Sequence, residues 1–181
     1  GFIGYHNTTL TNQSVSDRYN AKSIVVKGNN YVGGIVGYGS TNNYMKVTGV
    51  DVSAHYFGGG IAGGANVIYN TTIDQSTINV SHNAAGGLGG NVARAEKSTV
   101  LECSITADVY AGGISGIQSS YTLSSDMIYL GGGYYYSYDS GVVNSTIYAK
   151  SHHAGGYTGL EQTSHNSSTL TRFFVKDSDI K

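Results

Sequence analysis

Proline and tryptophan are absent from the 181 residues, and cysteine occurs once, as Cys103. A lone cysteine excludes a disulfide framework within one copy of the chain. Charge is also scarce. Asp, Glu, Lys and Arg make up 12%, and ten basic residues against eleven acidic ones give a net charge of −1. Nucleic-acid binding needs clustered Lys and Arg against phosphate, so a nucleic-acid partner is not expected. No apolar run approaches the ~20 residues of a membrane-spanning helix. The chain begins Gly1-Phe2-Ile3-Gly4 without Met, a basic stretch or an apolar leader, so we expect a processed chain or a piece of a longer repeat protein.

Glycine and tyrosine are abundant, at 27 and sixteen residues. The glycines are ordered. Gly-Gly-Ψ-x-Gly, with Ψ apolar or aromatic, occurs at Gly33-Gly34-Ile35-Val36-Gly37, Gly59-Gly60-Ile61-Ala62-Gly63 and Gly86-Gly87-Leu88-Gly89-Gly90. It returns at Gly112-Gly113-Ile114-Ser115-Gly116 and Gly155-Gly156-Tyr157-Thr158-Gly159. Gly132-Gly133-Tyr134 reads as a degraded copy, and Gly1-Phe2-Ile3-Gly4 as one that has lost its first Gly. Counted between second glycines, the spacings are 33, 26, 27, 26, 20 and 23 residues. Short alternating segments precede the glycines: Ser23-Ile24-Val25-Val26, Val50-Asp51-Val52, Thr77-Ile78-Asn79-Val80, Cys103-Ser104-Ile105-Thr106 and Thr146-Ile147-Tyr148-Ala149. Period-two alternation of β-branched residues predicts a strand with one buried face. No segment holds a helical apolar period; Ala93 to Lys97 allows one helical turn at most.

None of these units can bury its apolar row alone, so neighbours must stack. The expected architecture is all-β: a single-stranded β-solenoid of about seven glycine-punctuated coils, one domain over residues 1–181. Seven coils at about 4.8 Å per rung would make a rod about 34 Å long. Ile35, Ile61, Leu88, Ile114 and Tyr157 should form one core column. Glycine at corners should supply positive φ and let backbones approach closely. The lack of proline fits a backbone that donates to a ladder throughout. The rival arrangement is a Gly-rich β-sandwich, which does not explain the repeated glycine pattern.

The residues Val26-Lys27-Gly28-Asn29-Asn30-Tyr31-Val32, followed by Gly33-Gly34-Ile35-Val36-Gly37-Tyr38, resemble the GLUG motif repeat of bacterial surface proteins and IgA-peptidase-type adhesins. The resemblance runs from Gly1 to Gly159. It implies a right-handed β-solenoid in a secreted or surface-displayed protein, often a stalk or adhesin segment, and carries no catalytic residues to transfer.

Chemistry-bearing residues are few. The eleven acids are scattered, whereas glycoside cleavage needs two carboxylates about 5–9.5 Å apart. His55, His82 and His152 or His153 each fall just before a glycine pair and could line one edge; without recurring carboxylate or Cys beside them they read as solvent-facing corner residues and not as a metal ladder. Cys103 reads as a small buried hydrophobe, equivalent to Ile24 and Val50. Tyr31, Phe57 and Tyr110 share one position and could stack. Tyr134, Tyr135, Tyr136 and Tyr138 alternate along one segment, so some should face outward as a contact surface. Asn7, Asn12, Asn70, Asn79, Asn144 and Asn166 begin glycosylation sequons, where roughly three would arise by chance. The expectation is a non-enzymatic extracellular or cell-surface structural protein without cofactor or metal, assembling with itself into a filament, sheath or fibre. An adhesin binding glycans is the alternative, and a polysaccharide lyase or hydrolase a more distant one.

Overall fold

The computed structural model describes residues 3–11, 14–16, 24–119, 135–162 and 168–181. All secondary structure among them is β: short strands in four sheets of eight, six, six and five members, every pairing parallel. The chain visits the sheets in a fixed order and then returns to the first. One lap runs through Ala62–Tyr69 (sheet 1), Thr72–Asp74 (sheet 2), Thr77–Val80 (sheet 3) and Ala84–Gly86 (sheet 4). The next lap lies on it, rung for rung, through Gly89–Glu96, Thr99–Leu101, Ser104–Ala107 and Tyr110–Gly112. This is the arrangement of a β-solenoid.

The alternating segments that precede each glycine pair form sheet 3. Across Thr77–Val80 burial alternates, with Ile78 and Val80 inside and Asn79 exposed. Parallel register then converts each inward position into a column: Val52, Ile78, Ile105 and Ile147 in sheet 3, and Val47, Ile73, Val100 and Val142 in sheet 2. All eight are buried. Ile35, Ile61, Leu88, Ile114 and Tyr157 are joined by successive backbone hydrogen bonds of 2.9–3.1 Å and are buried as well. Each fully buried Ile or Leu contributes roughly 1.5–3 kcal/mol.

Three sequence expectations need correction. First, Gly112 pairs directly with Gly155, so those two are neighbouring rungs. The spacings counted through Gly132 are not spacings of paired strands, and Gly132, Gly133 and Tyr134 lie outside the described residues. Sheet 1 accommodates the longer lap by splitting. Ser115–Ser119 continues the first half of Gly89–Glu96, and Tyr135–Tyr138 rejoins at its end, Tyr138 opposite Glu96. Second, Ala93 to Glu96 are strand and not a helical turn.

Third, the glycine pairs do not supply positive φ. Gly49 is the one described glycine in that region, at +67°. A Cβ on Gly59 would stand 2.1 Å from the Ala62 carbonyl oxygen, and one on Gly63 2.2 Å from the Val32 backbone nitrogen. The motif exists because sheets 1 and 4 touch backbone to backbone, leaving no room for a side chain.

Left-handed backbone is carried by other residues, at two corners five residues apart. Between sheets 1 and 2 it falls on Tyr44, Asn70, Lys97, Asp139 and Arg172; between sheets 2 and 3 on Gly49, Gln75, Glu102, Asn144 and Asp177. A non-glycine residue pays about 1–2 kcal/mol for that conformation. The next residue offsets it. Ser98 Oγ donates to the Glu96 carbonyl at 2.7 Å and accepts the Thr71 N–H at 3.2 Å. Ser76 does the same with Asp74 and Val50, and Ser145 with Val143 and Cys103. These buried hydroxyls form two ladders that satisfy corner groups of adjacent rungs. We predict that Ser98→Ala, which strands the buried Thr71 N–H while the Glu96 carbonyl keeps the Asn70 N–H, lowers unfolding free energy by about 1–3 kcal/mol. Urea unfolding measures it; a change within error of zero would show that the hydroxyl ladder contributes nothing.

Candidate functional site

The outer surface is where chemistry would have to reside, and its side chains inherit the rung spacing of the core. In sheet 4 one register position, on the face turned away from the main core, holds Tyr31, Phe57, Ala84, Tyr110 and His153 in turn, of which Phe57 and Ala84 are buried. Tyr31 and Phe57 stack at 5.0 Å between ring centroids, 12° from parallel. Ala84 then interrupts the column, and Tyr110 tilts instead against His152 and His153, each at 6.0 Å. Tyr38 extends the first group, edge-on to Tyr31 at 5.5 Å and stacked on Tyr5 at 5.6 Å. Burial pushes the Tyr38 hydroxyl up to about 12, with Tyr31 and Tyr5 adding to the shift. Phe57, Ala84 and Ile117, flanked by Tyr31, Tyr56, Tyr110 and Leu160, form a second apolar cluster separate from the main core. The sequence placed Tyr31, Phe57 and Tyr110 at one position but gave no sign of this cluster, because Ile117 and Leu160 come from a different sheet.

His55, His82 and His152 sit at the corner between sheets 3 and 4. His55 and His82 stack at 5.1 Å, and Tyr56 stands edge-on to both, at 4.5 and 5.3 Å. His55 Nδ1 lies 3.0 Å from Ser81 Oγ. His152 and His153 are exposed further along the same edge. Among the described residues no group of three or more His, Cys, Asp or Glu is placed to hold a metal.

The acids are dispersed by register. Asp51 has Val25 and Thr77 beside it, Asp74 has Thr48 and Leu101, and Asp179 has Thr146. Glu102 is hydrogen-bonded by Gln75 at 3.1 Å. Asp139 is bound by Arg172, whose Nη2 donates to Oδ2 at 2.8 Å, and that hydrogen bond holds its carboxyl below the usual value. Glu96 is buried and ion-paired with Arg94.

Cys103 occupies the corner place that Ser76 and Ser145 hold on adjacent rungs, and its thiol donates to the Leu101 carbonyl at 3.0 Å. Burial is the largest influence on it and pushes the thiol up to about 12.

Of the sequon asparagines, Asn70 and Asn144 are exposed at left-handed corners and Asn79 is exposed on the outer face of sheet 3. Asn7 lies in the first strand, Ile3–Thr11. Asn12 and Asn166 lie outside the described residues, as does Tyr134. Tyr135, Tyr136 and Tyr138 lie in Tyr135–Tyr138, paired with Ser168–Thr171. Among the described residues no helix is long and apolar enough to cross a membrane.

In comparisons with known proteins, no family model, no curated protein and no solved structure matches this chain.

Proposed function

We propose that this protein is an extracellular structural segment, a right-handed β-solenoid of about six turns that serves as part of a filament, sheath or surface fibre and associates with copies of itself. Its work is mechanical. Parallel ladders hold successive rungs together along the axis, and continuous apolar columns resist bending. The right-handed sense is the one that twisted strands of L-residues favour when a chain returns to a parallel neighbour. The GLUG-like repeat supports surface display, and the exposed sequons Asn70, Asn79 and Asn144 suit a secreted glycoprotein.

The observation that carries the reading is the continuity of the core columns into the last rung. Val175 extends the Val142 column and Ile180 the Ile147 column, in unbroken parallel register. Such a column is extended by whatever rung is stacked on it, of the same chain or of a second copy, so it suits contact between copies along the axis. A head-to-tail contact of this kind that does not close yields an open filament. A role without catalysis is supported by the dispersal of the described carboxylates over non-neighbouring rungs of any one column.

Sedimentation velocity over a concentration series, followed by negative-stain electron microscopy, tests the proposal. The expected result is an elongated particle that grows end to end as concentration rises. A particle that stays monomeric over the whole series would overturn it.

A further inference from the structure

Beyond the mechanical role, we infer that the edge between sheets 3 and 4 carries a binding groove for an acidic oligosaccharide, one bearing carboxylate or sulfate groups. The groove has a volume of about 420 Å³ and runs across successive rungs of the outer surface. Its floor follows from register. Lys27, Ser53 and Asn79 are neighbours on the outward face of sheet 3, and His55 and Ser81 continue the wall around the corner. Lys150 closes the far end. Lys27 and Lys150 stand four rungs apart, about 19 Å at the spacing of a parallel sheet, which is the reach of a short chain of sugars.

The chemistry of the lining selects the ligand. None of the residues lining the groove is acidic, and among the described residues neither Lys27 nor Lys150 makes an ion pair. Asp108 stands on the rung between Ser81 and Lys150 without lining the groove. The floor therefore offers two ammonium groups to anions. Between them lie an amide, two hydroxyls and an imidazole, groups that match the hydroxyls of a sugar. His55 lines the groove and is packed against the rings of His82 and Tyr56, and such a ring suits the C–H face of a sugar. A neutral polysaccharide would leave both lysines unused, and a bare polyanion would leave the ring and the amide unused. Asn79 lies in the floor, so a glycan attached there and a bound oligosaccharide exclude each other.

Calorimetric titration tests the assignment, on protein whose Asn79 is shown by intact mass to be unmodified. The probes are an oligogalacturonate, a sulfated oligosaccharide, a neutral gluco-oligosaccharide of equal length and inorganic polyphosphate. At least one acidic sugar should bind and the neutral one should not, and the better of the two acidic probes identifies the anionic group. The Lys27→Gln/Lys150→Gln double variant should weaken that binding about tenfold or more. Lys46→Gln, exposed on sheet 2, should leave it unchanged. Equal binding of the neutral sugar, equal binding of polyphosphate, an unaffected double variant, or no sugar binding at all would each overturn the inference. None of these outcomes bears on self-association, so the two proposals fail separately.

Discussion

Gly86→Ala should unfold the middle of the protein. A Cβ at that position would stand 2.0 Å from the Gly89 carbonyl oxygen, 2.6 Å from the Gly116 nitrogen and 2.7 Å from Ser115 Cα. All three are backbone atoms on the same or the next rung, held by ladders on both sides. A flexible side chain could swing away from one added methyl, but a hydrogen-bonded backbone cannot. The expected cost exceeds about 4 kcal/mol, a large share of the 5–15 kcal/mol that keeps a typical domain folded. Gly49→Ala is the matching control. Gly49 has a φ of +67° and open space around its Cβ position, so only the left-handed backbone is penalised, by about 1–2 kcal/mol. Urea midpoints of the two variants decide the point. If Gly86→Ala costs no more than Gly49→Ala, close backbone approach is not what the glycine motif is for.

Cys103 should be inert to thiol reagents until the protein unfolds. The thiolate is the reacting species, and burial raises the thiol from 9.0 to about 12. That shift alone lowers the thiolate fraction at neutral pH about a thousandfold, and the 3% exposure of the residue restricts access further. Modification by iodoacetamide should therefore be at least about a thousandfold slower in buffer than in denaturant. A native rate within about tenfold of the denatured rate would mean that this corner opens readily. Cys103→Ser should be well tolerated, since serine fills the same corner on the rungs at Ser76 and Ser145.

Much of sheet 3 was legible because its strands obey the simplest rule, one buried face and one wet face. Thr77-Ile78-Asn79-Val80 states that rule in four residues. Sheet 1 does not obey it. In Ala62–Tyr69, Ala62, Gly63, Gly64 and Ala65 are all buried, since one side meets the core and the other meets sheet 4 or the aromatic cluster. Alternation vanishes there, and glycine mimics a loop. The corner hydroxyls left a signal that a pattern search could have found: small polar residues five positions apart, as at Thr71 and Ser76, Ser98 and Cys103, Ser140 and Ser145. The left-handed residues before them left none, because Asn70, Lys97, Asp139 and Arg172 share no chemistry. Their conformation is imposed by the turn, and the hydroxyl that stabilises it belongs to the following residue.

The repeat alone determined that units of this chain stack, because no single unit carries enough apolar surface to fold by itself. It also determined that apolar residues at one position in each unit would share a column. Pairing in three dimensions decided which copies are neighbours: Gly112 meets Gly155 because ladder hydrogen bonds follow register and ignore how many residues intervene. It decided, too, that glycine serves contact between sheets and that Lys27 and Lys150 share a groove. Side chains from rungs far apart in sequence become neighbours only once the coil has closed.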